Sequence, residues 1–340
     1  MVKKLNEEQY KQAWQHFGGS PLQSWNWGEV KSYNWRVERV GIFKEGNLVA
    51  VLSIHYRKFP LQKFTRFIGL SSFAYIPRGV SVRDIKYLDY VIQELTKCLN
   101  ERHIAFVLID PEDDLRFENW NESFKMVLET DGWKVAGETI QPNWTDVIRI
   151  DRTEEELFQS VRSKWRRNIR KAVREGVVAK EVEGYEAVDK FYKVIESVKG
   201  STSFKTHPKD YFQRIWDEMS KEDLIKIYVA EYKGEVVAAY LLVLNDYQVY
   251  ELYGGATKKG RDVEASYLLK WEIIKQQAKA GRNFYDQWGA APKGDQDHSL
   301  FGISYFKSGF GGEHVDMLPQ YVKVFRGLGY KLYKWIKDTL

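Results

Sequence analysis

The 340-residue chain contains one cysteine, Cys98, so it can form no internal disulfide and no cysteine-based metal cluster. Its six histidines, His16, His55, His103, His207, His298 and His314, show no paired spacing of the kind that holds a metal ion, and no metal is expected. A Gly-x-Ser-x-Gly elbow and a Walker-type phosphate loop are also missing, which removes the two commonest signatures of hydrolases and nucleotide triphosphatases. No segment approaches the roughly 18 uncharged apolar residues of a membrane span. No apolar run follows the lysines of Met1-Val2-Lys3-Lys4, so no signal peptide is expected. A cytoplasmic protein with no stable membrane insertion is the expectation. With only 8 prolines, the chain also lacks a proline-rich or serine-rich linker between domains.

Apolar residues make up 44% of the chain and aromatic ones 15%, enough for two cores of ordinary size. The net charge of +5 is too small to establish a nucleic-acid partner, but its distribution is uneven. Arg162, Lys164, Arg166, Arg167, Arg170, Lys171 and Arg174 follow one another with no acid until Glu175. Such a run is either a solvated helix face or a phosphate-binding surface. Trp165, Ile169 and Val173 recur every four residues within it, which assigns them to the core side of a helix.

Two hairpins are expected. One covers residues 35–58 around Lys44-Glu45-Gly46-Asn47, and the other joins Ile225–Glu231 to Val236–Leu244 around Lys233-Gly234-Glu235. Each is followed by a periodic helix and a short buried strand. In the first half these are Val82–Arg102 and Ala105–Ile109. In the second half a strand Gln248–Tyr253 comes first, then a helix Val263–Ala280 and a strand Asn283–Asp286. Further helices are expected over Glu154–Glu175, Tyr185–Val198, Pro208–Met219 and Phe325–Asp338. The repeated order implies tandem α/β domains, each a mixed sheet flanked by helices. The first is placed at 1–147 with 318–340, and the second at 148–317.

Several short motifs occur in order along the chain. They are Trp27-Gly28-Glu29-Val30-Lys31, Asp110-Pro111-Glu112, Ser163-Lys164-Trp165-Arg166-Arg167-Asn168-Ile169-Arg170-Lys171 with Gly176-Val177, Tyr211-Phe212-Gln213-Arg214, Tyr253-Gly254-Gly255, and Phe306-Lys307-Ser308-Gly309-Phe310. Together they resemble the Fem family of aminoacyl-tRNA-dependent peptidyltransferases, which add amino acids to peptidoglycan precursors. The resemblance implies the N-acyltransferase (GNAT-like) fold in duplicate, with the last helix returning to the first domain. It also implies a set of residue roles. Lys307, on a strand-loop and stacked by Phe306, would be catalytic and stabilise the oxyanion or the tRNA end. Lys31, His207, Tyr211 and Tyr253 would contact the muramyl peptide precursor. His207 stands where the best-matched pattern has an arginine, with Lys205 nearby. Lys164, Arg166, Arg167, Arg170 and Lys171 would contact aminoacyl-tRNA, the co-substrate that takes the place of a cofactor. The precursor would bind chiefly in the first domain and its groove with the second, and the protein would act as a monomer. Members that act on the lipid-linked precursor often carry a coiled-coil arm, and no long charged heptad insertion is present here.

The segment Thr257-Lys258-Lys259-Gly260-Arg261-Asp262-Val263-Glu264-Ala265 occupies the position of a coenzyme A pyrophosphate loop. It retains one glycine and carries Asp262 and Glu264 where phosphate would approach, so a different acyl donor is required. Asp110 and Asp286 each end a buried strand. Each is open to two readings, a general base or a residue that only terminates the strand and fixes the following loop. A Fem-like transferase with another peptide or metabolite acceptor, and a non-catalytic tRNA- or precursor-binding protein, remain alternatives.

Overall fold

The computed structural model describes residues 1–59, 72–113, 117–137, 139–198 and 207–339, so Lys205 lies outside the described residues. The chain divides into two compact units, Met1–Asn143 with Met317–Leu340, and Trp144–Asp316. The change of unit falls a few residues before the expected boundary at 147, because the strand that begins at Trp144 belongs wholly to the second sheet.

In the first unit, β1 (Val2–Lys4), β2 (Arg36–Lys44), β3 (Asn47–Lys58), β4 (Ser72–Gly79), β5 (Ser81–Val82), β6 (Phe106–Pro111), β7 (Lys134–Val135) and β15 (Tyr321–Val324) form one mixed sheet. Its path is β1-β2-β3-β4-β6-β15-β7, with β5 on β3. β2 and β3 are the expected hairpin. Its two turn residues, Glu45 and Gly46, have φ of 51° and 82°, the primed-turn geometry that matches strand twist and that glycine adopts without steric cost. β4 runs parallel to β6, and helix Leu88–Glu101 between them buries Leu88, Val91, Ile92, Leu95 and Leu99, the side chains its periodicity selects. That helix starts later than expected, because Val82 is in β5 and Asp84 caps a short turn at Ile85–Tyr87 first. The last helix, Gly327–Thr339, sets Tyr330 and Tyr333 against Phe106, with ring centroids 5.0 and 4.9 Å away.

In the second unit, β8 (Trp144–Arg149), β9 (Val178–Val182), β10 (Ile225–Tyr232), β11 (Glu235–Leu244), β12 (Gln248–Ala256), β13 (Phe284–Gly289) and β14 (Glu313–Asp316) form a mixed sheet of order β14-β8-β13-β12-β11-β10-β9. Every residue of β11 from Val237 to Leu244 is buried, so helices cover both faces of this sheet. Helix Ala265–Lys279 connects β12 to the parallel strand β13. Hairpin, helix and parallel strand thus recur in the order seen in the first unit. β12 and β13 are in register only from Gln248↔Phe284 to Tyr250↔Asp286. Both strands continue beyond that point but no longer pair, and the carbonyls at the end of β13 leave the ladder there.

Three expectations are corrected. The single helix over Glu154–Glu175 is two helices, Glu154–Ser160 and Ser163–Glu175, with extended backbone at Val161 and Arg162 where Val161 is drawn into the core. Val173 is 57% exposed; the core face of the basic helix is Trp165, Ile169 and Ala172, and Val173 lies one step round from it. The Phe306-Lys307 motif is not a strand-loop. It ends helix Phe301–Lys307, and a short 3₁₀ turn, Ser308–Phe310, follows.

The basic helix locks onto that motif at one point. The indole Nε1 of Trp165 donates to the Phe306 carbonyl at 2.9 Å, and the Arg162 N–H donates to the Gly309 carbonyl at 2.9 Å. Gly309 is required by this approach, since a Cβ there would lie 2.3 Å from the Trp165 ring. Gly309→Ala is therefore expected to lower stability by about 1–3 kcal/mol through overpacking, read as a fall in thermal midpoint with a change in tryptophan emission. A loss below about 0.5 kcal/mol would show that the contact is slack.

Candidate active site in the second unit

Lys307 is the last residue of its helix and is only 8% exposed. Its Nζ donates to the carbonyls of Trp288 at 2.9 Å and Gly289 at 2.8 Å, the two groups that β13 releases where it parts from β12. A buried carbonyl without a donor is unfavourable, and a lysine meets two of them while keeping a third N–H. Burial brings the Lys307 ammonium down from its usual 10.5 to about 8, against the pull of Glu251, Asp286 and Asp146, and with a push from Lys270. The group is therefore still cationic at neutral pH, in a place where water is scarce.

The end of β13 is fixed by Asp286. Its Oδ1 accepts from the Trp288 N–H at 2.7 Å and from the Thr145 hydroxyl of β8. Trp288 has φ of +59°, a backbone turn that this carboxylate holds in place. With Oδ1 so engaged, the loop-fixing reading of Asp286 accounts for its position. Asp110 of the first unit is similarly occupied: Oδ1 accepts from Gln320 at 3.0 Å, Oδ2 accepts from the Tyr75 hydroxyl, and burial raises its carboxyl above the ordinary range. Both aspartates are parts of hydrogen-bonded networks at strand ends.

Phe306 does not stack on Lys307. Neighbouring residues of a helix point about 100° apart, and the Phe306 ring lies instead 5.1 Å from the Nζ of Lys270, packed on Tyr267 and Phe310 at 4.9 and 5.2 Å. Lys270 is a site residue that the sequence reading missed. It sits on helix Ala265–Lys279 with no exposed surface and donates to Glu251 of β12 at 3.1 Å and to Gln287 of β13 at 2.9 Å. Glu251 also accepts from the Tyr285 hydroxyl at 2.5 Å. The one sequence signal for it is a lysine flanked by Leu268, Leu269 and Trp271, which is the pattern of a buried face.

The basic helix places its charges opposite the core stripe. Lys164, Arg167 and Arg170 are exposed and make no ion pair among the described residues. Arg166 and Lys171 are partly covered. Arg166 donates to the Gln159 side chain at 2.8 Å, and Lys171 donates to the Asp262 carbonyl at 3.1 Å and to Glu264 at 3.3 Å. Beside the helix start, Tyr305 and Phe301 of the Lys307 helix are 48% and 38% exposed, and the Arg162 guanidinium lies 5.8 Å from the Tyr305 ring.

His207, Tyr211 and Tyr253 come together in this unit. The His207 ring is 4.1 Å from Tyr211 and 6.2 Å from Tyr253, and the Tyr211 and Tyr253 hydroxyls are hydrogen-bonded to each other. Burial raises both phenols, so both remain neutral. Lys31 belongs to the first unit, on helix Trp25–Ser32, with its Nζ 4.6 Å from the Trp27 ring. In the same motif Glu29 accepts from Arg39 of β2 at 2.5 Å, which ties the helix to the sheet.

In the segment Thr257–Ala265, the Thr257 hydroxyl accepts from the Gly260 N–H at 3.1 Å, Lys258 pairs with Asp262 at 3.1 Å, and a Cβ on Gly260 would lie 2.2 Å from the Val237 carbonyl. The glycine serves packing against β11, and its amide is already occupied.

The profile of the FemAB family matches residues 5–235 and 220–338. A lipid II:glycine glycyltransferase of Staphylococcus haemolyticus is 21% identical over 399 residues, covering 96% of this chain and 93% of that protein. A crystal structure of FemX superposes with a TM-score of 0.83 at 17% identity, covering 99% of both chains. A tandem GNAT protein from the clavulanic acid biosynthesis pathway superposes at 0.55 with 10% identity, covering 96% of this chain and 98% of that one. The duplicated acyltransferase architecture is thus that of the fold, and the chain belongs to the FemAB family.

Proposed function

We propose that this FemAB protein, an aminoacyltransferase, moves an amino acid from aminoacyl-tRNA to an amine on the stem peptide of a peptidoglycan precursor. The observation that carries the reading is the buried Lys307 ammonium, held by two backbone carbonyls with one donor left over. The acceptor amine attacks the ester carbonyl carbon, and the carbonyl oxygen takes up negative charge that Lys307 offsets. The tetrahedral intermediate then collapses: the ester C–O bond breaks, the proton lost by the attacking nitrogen passes to the departing 3′ oxygen of the tRNA, which leaves as a hydroxyl, and an amide remains. A cation fixed in a dry site acts most strongly on charge that appears only along this path.

The donor assignment is supported by the exposed faces of Lys164, Arg167 and Arg170, next to the aromatic surfaces of Tyr305 and Phe301 on which bases could stack. It is supported also by the Thr257–Ala265 segment, where the amide of the one remaining glycine, Gly260, is already taken by the Thr257 hydroxyl and is not free for a pyrophosphate. His207 with Tyr211 and Tyr253 supplies a ring-lined, hydrogen-bonding patch for the acceptor.

A transfer assay with pooled charged tRNA and mass detection of UDP-linked and lipid-linked muramyl peptides tests the reaction. Transfer to neither acceptor would overturn it. Lys307→Met is expected to lose about 10²–10³ in kcat, the magnitude typical of one oxyanion donor, and to melt at a lower temperature because the carbonyls of Trp288 and Gly289 lose their donor. The pH dependence gives the sign of the role. The folded-state value near 8 lies below the usual 10.5, so the ammonium persists below pH 8 and is lost as pH rises through it. A falling limb near pH 8 in the unsubstituted enzyme, absent from the residual rate of Lys307→Met, is expected. A rate that instead rises through that pH because of Lys307 would make the neutral amine the active form. Replacing Lys164, Arg167 and Arg170 by glutamine should raise KM for the charged tRNA, leave KM for the acceptor unchanged, and flatten the salt dependence by up to about three counterions. An unaltered salt slope would remove that face from the donor site.

A further inference from the structure

We propose that Lys270, clamped by Glu251 and acting through Gln287, is a positioning residue that fixes the last turn of the Phe301–Lys307 helix and thereby aims the Lys307 ammonium. The inference rests on the reading of Lys307 as the cation at the oxyanion. The final carbonyls of a helix have no partner within it. At Lys307 the carbonyl is answered by the side-chain N–H of Gln287 at 3.1 Å. A glutamine amide can present either end to a neighbour, and Gln287 is fully buried, with no bulk water to satisfy the wrong choice. Lys270 resolves that choice. An ammonium can only donate, so the Gln287 oxygen must face Lys270, where it lies at 2.9 Å, and the amide nitrogen must face Lys307.

Lys270 is itself held from several sides. Glu251 accepts from it at 3.1 Å and is in turn held by Tyr285 at 2.5 Å, while the rings of Phe306, Phe310 and Tyr240 lie 5.1, 5.5 and 5.5 Å from its Nζ. One charge therefore seats both aromatic residues of the motif and orients the side chain that caps the helix. The groups that face Lys307 electrostatically are Glu251 from β12, Lys270 from its helix, Asp286 from β13 and Asp146 from β8, the last hydrogen-bonded to His314 of β14. Burial outweighs them all in depressing its proton affinity.

Gln287→Met breaks the link while leaving the Lys270–Glu251 pair intact, and Lys270→Met with Glu251→Gln removes the pair without stranding a charge. Both variants are measured for kcat, for KM of each substrate, and for the rate at which Lys307 is acylated by an amine-selective reagent, read by mass spectrometry. Loss of about tenfold to a hundredfold in kcat with KM values within about twofold, and faster Lys307 labelling at neutral pH, is the expected result. Folded variants with unchanged kcat and unchanged labelling, and only a lower melting temperature, would overturn the proposal and leave the pair a purely structural one. Labelling needs no turnover. Altered labelling in an enzyme that transfers nothing would therefore refute the proposed reaction while sustaining the positioning role.

Discussion

Two parallel strands that part company create the condition on which the second unit depends. Where β13 leaves β12, the carbonyls of Trp288 and Gly289 are no longer opposed by that strand. Lys307 supplies the missing donors from a helix end. The arrangement satisfies two backbone groups and leaves one N–H of the cation over. Its burial lowers its proton affinity, yet not so far that the charge is lost at neutral pH.

The neighbouring parts read as supports for that geometry. Thr145 and Asp286 hold the turn at Trp288, so the two carbonyls keep their direction. Trp165 and Gly309 join the basic helix to the same motif, which ties the exposed basic side chains to the segment that carries the ammonium. The Lys270–Glu251 pair lies behind the aromatic residues of the motif. Burying such a pair brings little net stability, and removing one partner alone is costly, so its value is better sought in the precision it gives to its surroundings.

Much of this was legible in the amino-acid sequence where local physics decides the outcome. The hairpin turns at Glu45-Gly46 and Lys233-Gly234, the periodic helix Leu88–Glu101 and the repeat of hairpin, helix and strand all follow from spacing and turn chemistry. The duplicated fold followed from that repeat, and Lys307 stood out as one lysine among aromatics. What escaped was set by tertiary contacts. The break at Val161 carries no proline or glycine, only a side chain pulled into the core. The family resemblance implied a strand-loop at Phe306-Lys307, although Phe306 and Phe310 are spaced as one helical turn. Val173 kept the spacing of Trp165 and Ile169 but fell off the edge of the buried stripe. Lys270 was hidden because a lysine on a helix is normally at the surface, and only its partners Glu251 and Gln287, distant in sequence, make its burial tolerable.

The central claim is that the Lys307 ammonium stabilises charge on the carbonyl oxygen while the β13 carbonyls hold it in place. The most direct measurement is a crystal structure with a phosphonate mimic of the tetrahedral intermediate attached to a 3′-terminal adenosine. A phosphonate oxygen within hydrogen-bonding distance of Lys307 Nζ, with the bonds to Trp288 and Gly289 retained, is the predicted result. A mimic seated with its phosphonate away from Lys307, or a lysine that has left both carbonyls to reach solvent, would contradict the account.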